Sequence, residues 1–94
     1  MRIIGYIPHD QCKITVFKMD NRFSVKIENR QFEETFKLRM SDRIDSLADI
    51  QQLVDEELIQ HTLQRFSSMN AHLNAAIQRN LPLDTPDDEF EEII

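Results

Sequence analysis

The residues best suited to chemistry stand near the start of the chain, where His9 and Cys12 form a His-x-x-Cys pair beside Asp10. Imidazole, thiolate and carboxylate are all zinc ligands, but a zinc site needs four. The chain has one cysteine and no second histidine close by, so the triplet reads as a polar turn. Cys12 as a nucleophile needs an activating base, and its place in an apolar row makes it a small core residue instead. Glu57 and His61 are four apart on one helix face, a spacing that serves a solvated pair as readily as a ligand site. His72 lies about 16 Å beyond His61 along a helix, too far to share a metal. Asp42, Asp45 and Asp49 cluster at a helix start, where negative charge complements the dipole. There is no glycine-rich phosphate loop, no Gly-x-Ser-x-Gly, no His-Glu-x-x-His and no EF-hand loop. The sequence therefore predicts no catalytic residue, no cofactor and no metal, and a protein that is not an enzyme.

Glu34 is the exception to a tidy pattern. It stands in an apolar row between Phe32 and Phe36. A lone buried carboxylate is costly or titrates high. An edge position, with Glu34 reaching solvent or Lys18, resolves the conflict.

The elements that hold these residues are legible as alternation. Phe23, Val25 and Ile27 take one side of a strand while Arg22, Ser24, Lys26 and Glu28 take the other, and Cys12, Ile14 and Val16 repeat the pattern. A two-residue turn at Asp20-Asn21 sets Val16 opposite Val25, Ile14 opposite Ile27 and Lys13 opposite Glu28. A second turn at Asn29-Arg30 sets Ile27 opposite Phe32, Phe23 opposite Phe36 and Lys26 opposite Glu33, leaving Glu34 opposite Val25. A first strand over residues 3–7 places Ile7 against Cys12 and Ile3 against Val16. Together these predict a four-stranded antiparallel meander.

Ser46 and Asp49 form a start resembling a capping box, and no Gly or Pro follows until Pro82. Leu47, Ile50, Val54, Leu58, Thr62, Phe66, Met69, Leu73 and Ile77 step by three or four and make one apolar stripe. An unbroken helix from Ser46 to Arg79 is about 51 Å long, against a diameter of roughly 30 Å for a domain of this size. Either the helix breaks near residues 67–70, where propensity is poor, or its second half projects against another chain. The fold class is α+β: the meander, the long C-terminal helix, and an acidic tail.

Length and charge set the outer bounds. Ninety-four residues, 40% hydrophobic and 30% charged, describe one globular domain rather than a disordered chain. We place that domain at residues 1–80 and the acidic tail at 81–94. The formal charge of −6 equals the charge of that tail, which carries Asp84, Asp87, Asp88, Glu89, Glu91 and Glu92 and no base. A lone cysteine and no N-terminal apolar segment point to the cytoplasm. No run approaches the ~18 apolar residues of a membrane span.

Function is read from the sheet's second face, which is not cleanly polar. Ile4, Tyr6, Phe17 and Met19 cluster there with Lys13, Arg22, Lys26, Lys37 and Arg39. An apolar corner of this kind marks association, so the first expectation is an interaction or adaptor module that forms a homodimer or binds an unidentified protein. The alternative is single-stranded nucleic acid, with bases on the aromatics, phosphates on the cations and the acidic tail as competitor. The tail's Phe90, Ile93 and Ile94 read as anchors of a docking segment that folds back, or across a dimer, onto this face.

Overall fold

A computed structural model describes residues 1–82; Phe90, Ile93, Ile94 and the acidic residues around them lie outside the described residues. Four strands, β1 (Arg2–Ile7), β2 (Lys13–Met19), β3 (Arg22–Glu28) and β4 (Glu33–Arg39), form one antiparallel sheet in the order β1-β2-β3-β4. Two helices follow, α1 (Leu47–Leu53) and α2 (Glu56–Asn80). Both pack on one side of the sheet. Ile14, Val16, Phe23, Val25 and Ile27 from the sheet, Ile50 from α1, Val54 at the junction and Ile59 and Phe66 from α2 are the buried hydrophobic residues. This is the sheet-and-helix layer pair that the alternation and the stripe predict.

The β2–β3 register agrees with the reading, with Val16 on Val25, Ile14 on Ile27 and Lys13 on Glu28. Asp20 opens the turn at φ 52°, a conformation Asp tolerates better than most residues. The other two registers differ. β4 is displaced by two residues, so that Val25 faces Phe36, Phe23 faces Leu38 and Ile27 faces Glu34. The loop has four residues rather than two, because the Asn29 carboxamide oxygen accepts from the N–H groups of Gln31 (2.9 Å) and Phe32 (2.8 Å). An even displacement keeps every side chain on its expected face.

β1 is corrected in a different way. Ile7 pairs with Ile14 and Gly5 with Val16, but a bulge between Ile3 and Gly5 then sets Ile3 opposite Phe17. The extra residue exchanges the two isoleucines. Ile4 packs against the core, while Ile3 is exposed on the outer face. Gly5 has its own reason: a Cβ there would lie 2.7 Å from Leu47 Cδ2, so any larger residue displaces the Leu47 side chain where α1 sits on β1.

The helical stretch does break, at Val54-Asp55 rather than near residues 67–70. Val54 leaves helical geometry at φ −85°, ψ 81°. Asp55 then caps the new helix, its carboxylate accepting from the Leu58 N–H at 2.9 Å, with Glu56 and Glu57 in the first turn. Ser67 to Asn70 stay helical, since their propensity cost is small within 25 residues of helix. No helix among the described residues is long and apolar enough to cross a membrane.

Candidate interaction surface

The outer face of the sheet carries no helix. Register places Tyr6, Lys13, Phe17, Met19, Arg22, Lys26, Lys37 and Arg39 together there, through the pairs Tyr6–Thr15, Phe17–Ser24, Ser24–Lys37, Met19–Arg22 and Arg22–Arg39. Ile4 does not join them, for the reason given above, and Ile3 takes its place. Ile3, Tyr6 and Met19 are each exposed by two-fifths or more, which makes a real apolar corner.

The cations on this face are partly engaged. Lys13 Nζ lies 5.9 Å from the centre of the Tyr6 ring, and Lys26 Nζ 5.7 Å from that of Phe17. Lys26 also donates to Glu28 at 3.1 Å, and this hydrogen bond and charge raise its pKa above the ordinary lysine value. Arg22, Lys37 and Arg39 have no ion-pair partner among the described residues.

Two like-charge pairs stand directly opposed within the sheet, Arg22 against Arg39 and Glu28 against Glu33. Facing like charges are destabilising. Lys26 answers Glu28 from its own strand and feels the charge of Glu33 more weakly; neither Glu33 nor Arg39 forms an ion pair of its own among the described residues.

Glu34 faces inward as expected, and its partner is Arg65 of α2. Arg65 Nε donates to Oε2 at 2.9 Å and Nη2 to Oε1 at 2.6 Å, a bidentate fork. The buried Thr62 hydroxyl lies 3.0 Å from Oε1 and also accepts from Arg65 Nη2 at 3.1 Å. The Arg65 hydrogen bond, aided by Thr62, outweighs burial and lowers the Glu34 pKa. Arg65 is the residue the sequence reading missed. Its place three residues after Thr62 sets it beside the stripe that faces the sheet, but no local feature of the sequence pairs it with Glu34.

The polar triplet at the first loop is a clamp. His9 Nδ1 accepts from the Gln11 N–H at 3.1 Å, and Nε2 meets both oxygens of Glu56 at 3.2 Å. Gln60 donates to the same carboxylate at 2.6 Å and to Gln11 at 3.1 Å. These contacts fix the start of α2 over the β1–β2 loop. Cys12 is half-buried and unpaired; burial first, then the charges of Glu56 and Asp10, push its thiol up, away from the reactive thiolate. Glu57 and His61 are 3.8 Å apart on the exposed face of α2. Among the described residues, no three His, Cys, Asp or Glu side chains converge to hold a metal ion. A shallow depression of about 560 Å³ lies beside Cys12, Glu28 and Arg30, and no hydrogen bond joins the Cys12 thiol to a base among the described residues.

A second surface belongs to α2. Its last buried residue is Phe66, whose ring lies 6.0 Å from that of Phe32. The stripe continues through Met69 and Leu73, which are 41% and 44% exposed. The helix enters over the β1–β2 loop and passes Glu34 of β4, so its final 14 residues, about 21 Å, extend beyond that strand. Comparison of the chain with protein-family models, with curated proteins and with solved structures gives no match in any of the three.

Proposed function

We propose that this chain is a non-catalytic, self-associating interaction module of the cytoplasm, and that the unpaired half of α2 joins two copies. The observation that carries the reading is the continuation of one apolar stripe past the sheet, with Met69 and Leu73 in line with Phe66 and exposed. A helix face of this kind buries its stripe against something. A second copy supplies the same stripe, as two-fold association requires. The apolar corner of Ile3, Tyr6 and Met19 offers a further contact for an additional protein partner, or for the tail through Phe90, Ile93 and Ile94. Light scattering on the full chain at two concentrations tests the proposal. The expected mass is twice 11.2 kDa, reduced to the single-chain value in the Met69→Glu, Leu73→Glu double variant. A wild-type monomer at both concentrations overturns it.

A second reading has its own support. Tyr6 and Phe17 share the outer face with Lys13, Arg22, Lys26, Lys37 and Arg39, a combination suited to stacking and phosphate contact with a single strand. On this reading an oligonucleotide binds in a salt-dependent way, and removing residues 82–94 strengthens binding.

A further inference from the structure

We propose that the free edge of β4 pairs antiparallel with β4 of a second copy, with Phe36 opposite its own symmetry mate. This rests on the self-association argued above and adds to the α2 contact a second surface, which fixes the register of the two copies.

Two backbone hydrogen bonds bracket the β3–β4 ladder, Asn29 N–H to Phe32 O at 3.0 Å and Met40 N–H to Asn21 O at 2.9 Å. In an antiparallel ladder, hydrogen-bonded and non-bonded pairs alternate. The observed register therefore assigns the backbone groups of Glu34, Phe36 and Leu38 to β3, and leaves those of Glu33, Thr35, Lys37 and Arg39 pointing outward. No other strand meets this edge among the described residues. An outward residue can bond only another outward residue, so every register that opposes an odd with an even position is excluded.

Among the registers that remain, one uses all four outward residues of both copies. It opposes Glu33 with Arg39 of the second copy and Thr35 with Lys37. A shift of two in one direction opposes Lys37 with its own mate, like against like; a shift in the other leaves Arg39 without a partner. The favoured register also gives an ion-pair partner to the two residues of this edge that face a like charge and have none among the described residues. Glu33, set against Glu28, gains an arginine on its free side, and Arg39, set against Arg22, gains a glutamate. Phe36 and Leu38, only half-buried at the edge, gain cover. The same side of the sheet is where α2 overhangs, so the exposed Met69 and Leu73 extend toward the second copy.

The test is a charge-reversal cycle read by sedimentation equilibrium. Glu33→Arg and Arg39→Glu alone each weaken the dimer about tenfold, because each acts twice by symmetry, and the double variant recovers most of the loss. Amide exchange gives a reading that needs no substitution. On raising the protein concentration, the N–H groups of Glu33, Thr35, Lys37 and Arg39 become protected, while those of Glu34, Phe36 and Leu38 are protected throughout. A wild-type dimer indifferent to both reversals overturns the β4 pairing and leaves self-association standing. A wild-type monomer overturns both. Edge protection that does not depend on concentration assigns the edge to the chain's own tail and also overturns the pairing.

Discussion

Replacing Thr62 by valine tests the polar link between β4 and α2. Thr62 is fully buried, and its hydroxyl lies between Glu34 Oε1 at 3.0 Å, the Leu58 carbonyl at 3.1 Å and Arg65 Nη2 at 3.1 Å. Valine keeps the volume but removes a donor to the carboxylate and an acceptor for the guanidinium. A hydrogen bond to a charged group contributes about 1.5–3 kcal/mol when dry. The Glu34 side chain remains 27% exposed, so water replaces part of what is lost. A penalty of about 1 kcal/mol follows, or a fall in Tm of roughly 4–8 °C for a domain of this size. The penalty depends on pH in a definite sense. The Arg65 hydrogen bond holds the Glu34 carboxyl below its ordinary value. With the folded pKa below the unfolded one, the stabilisation is complete above the unfolded value and disappears as pH falls through the folded value. Urea unfolding of wild type and Thr62→Val, followed by circular dichroism at neutral pH and again below the folded pKa, reads both effects. A variant as stable as wild type at neutral pH, or a penalty unchanged in acid, refutes the assignment.

Two further outcomes follow from the backbone. Asp55→Ala removes the α2 cap and lowers stability by about 1 kcal/mol in a denaturant titration, whereas Asp55→Ser retains most of it. Gly5→Ala drives a methyl into Leu47 and lowers Tm; in the Leu47→Ala background the same change is nearly neutral, a coupling of about 1 kcal/mol in the double-mutant cycle.

How much of this was legible depends on what each signal encodes. The β2–β3 hairpin was readable in full, because a two-residue turn and alternating Val and Ile fix register and face together. Alternation fixes face but is blind to displacements of two, so β4 was assigned the right side and the wrong neighbours. Only the side chain of Asn29, closing a four-residue loop, decides between them. The bulge in β1 was hidden because Ile3 and Ile4 are identical, and an extra residue among like residues leaves no mark on the pattern. The helix break was hidden for the opposite reason. Ile50, Val54 and Leu58 keep a step of four straight through it, while the signature of a new start, Asp55-Glu56-Glu57, was present but outweighed by the stripe. Face alone sets the outer-face residues together, except Ile4, which the bulge turns toward the core. Alternation puts Glu34 on the inner face, but its partner is Arg65 rather than Lys18, and Arg65 lies 31 residues away in sequence, beyond any local rule.

Because every strand pairs with its neighbour in sequence, the sheet assembles from contacts that close short loops, a topology associated with fast folding. The helices contribute the remote steps: His9 reaches Glu56 across 47 positions and Glu34 reaches Arg65 across 31. On a ribosome, which extends the chain from its N-terminus, the meander is complete while α2 is still being made. Its oily side stays bare for that interval, and docking of α2 is the step that ends this vulnerability to aggregation.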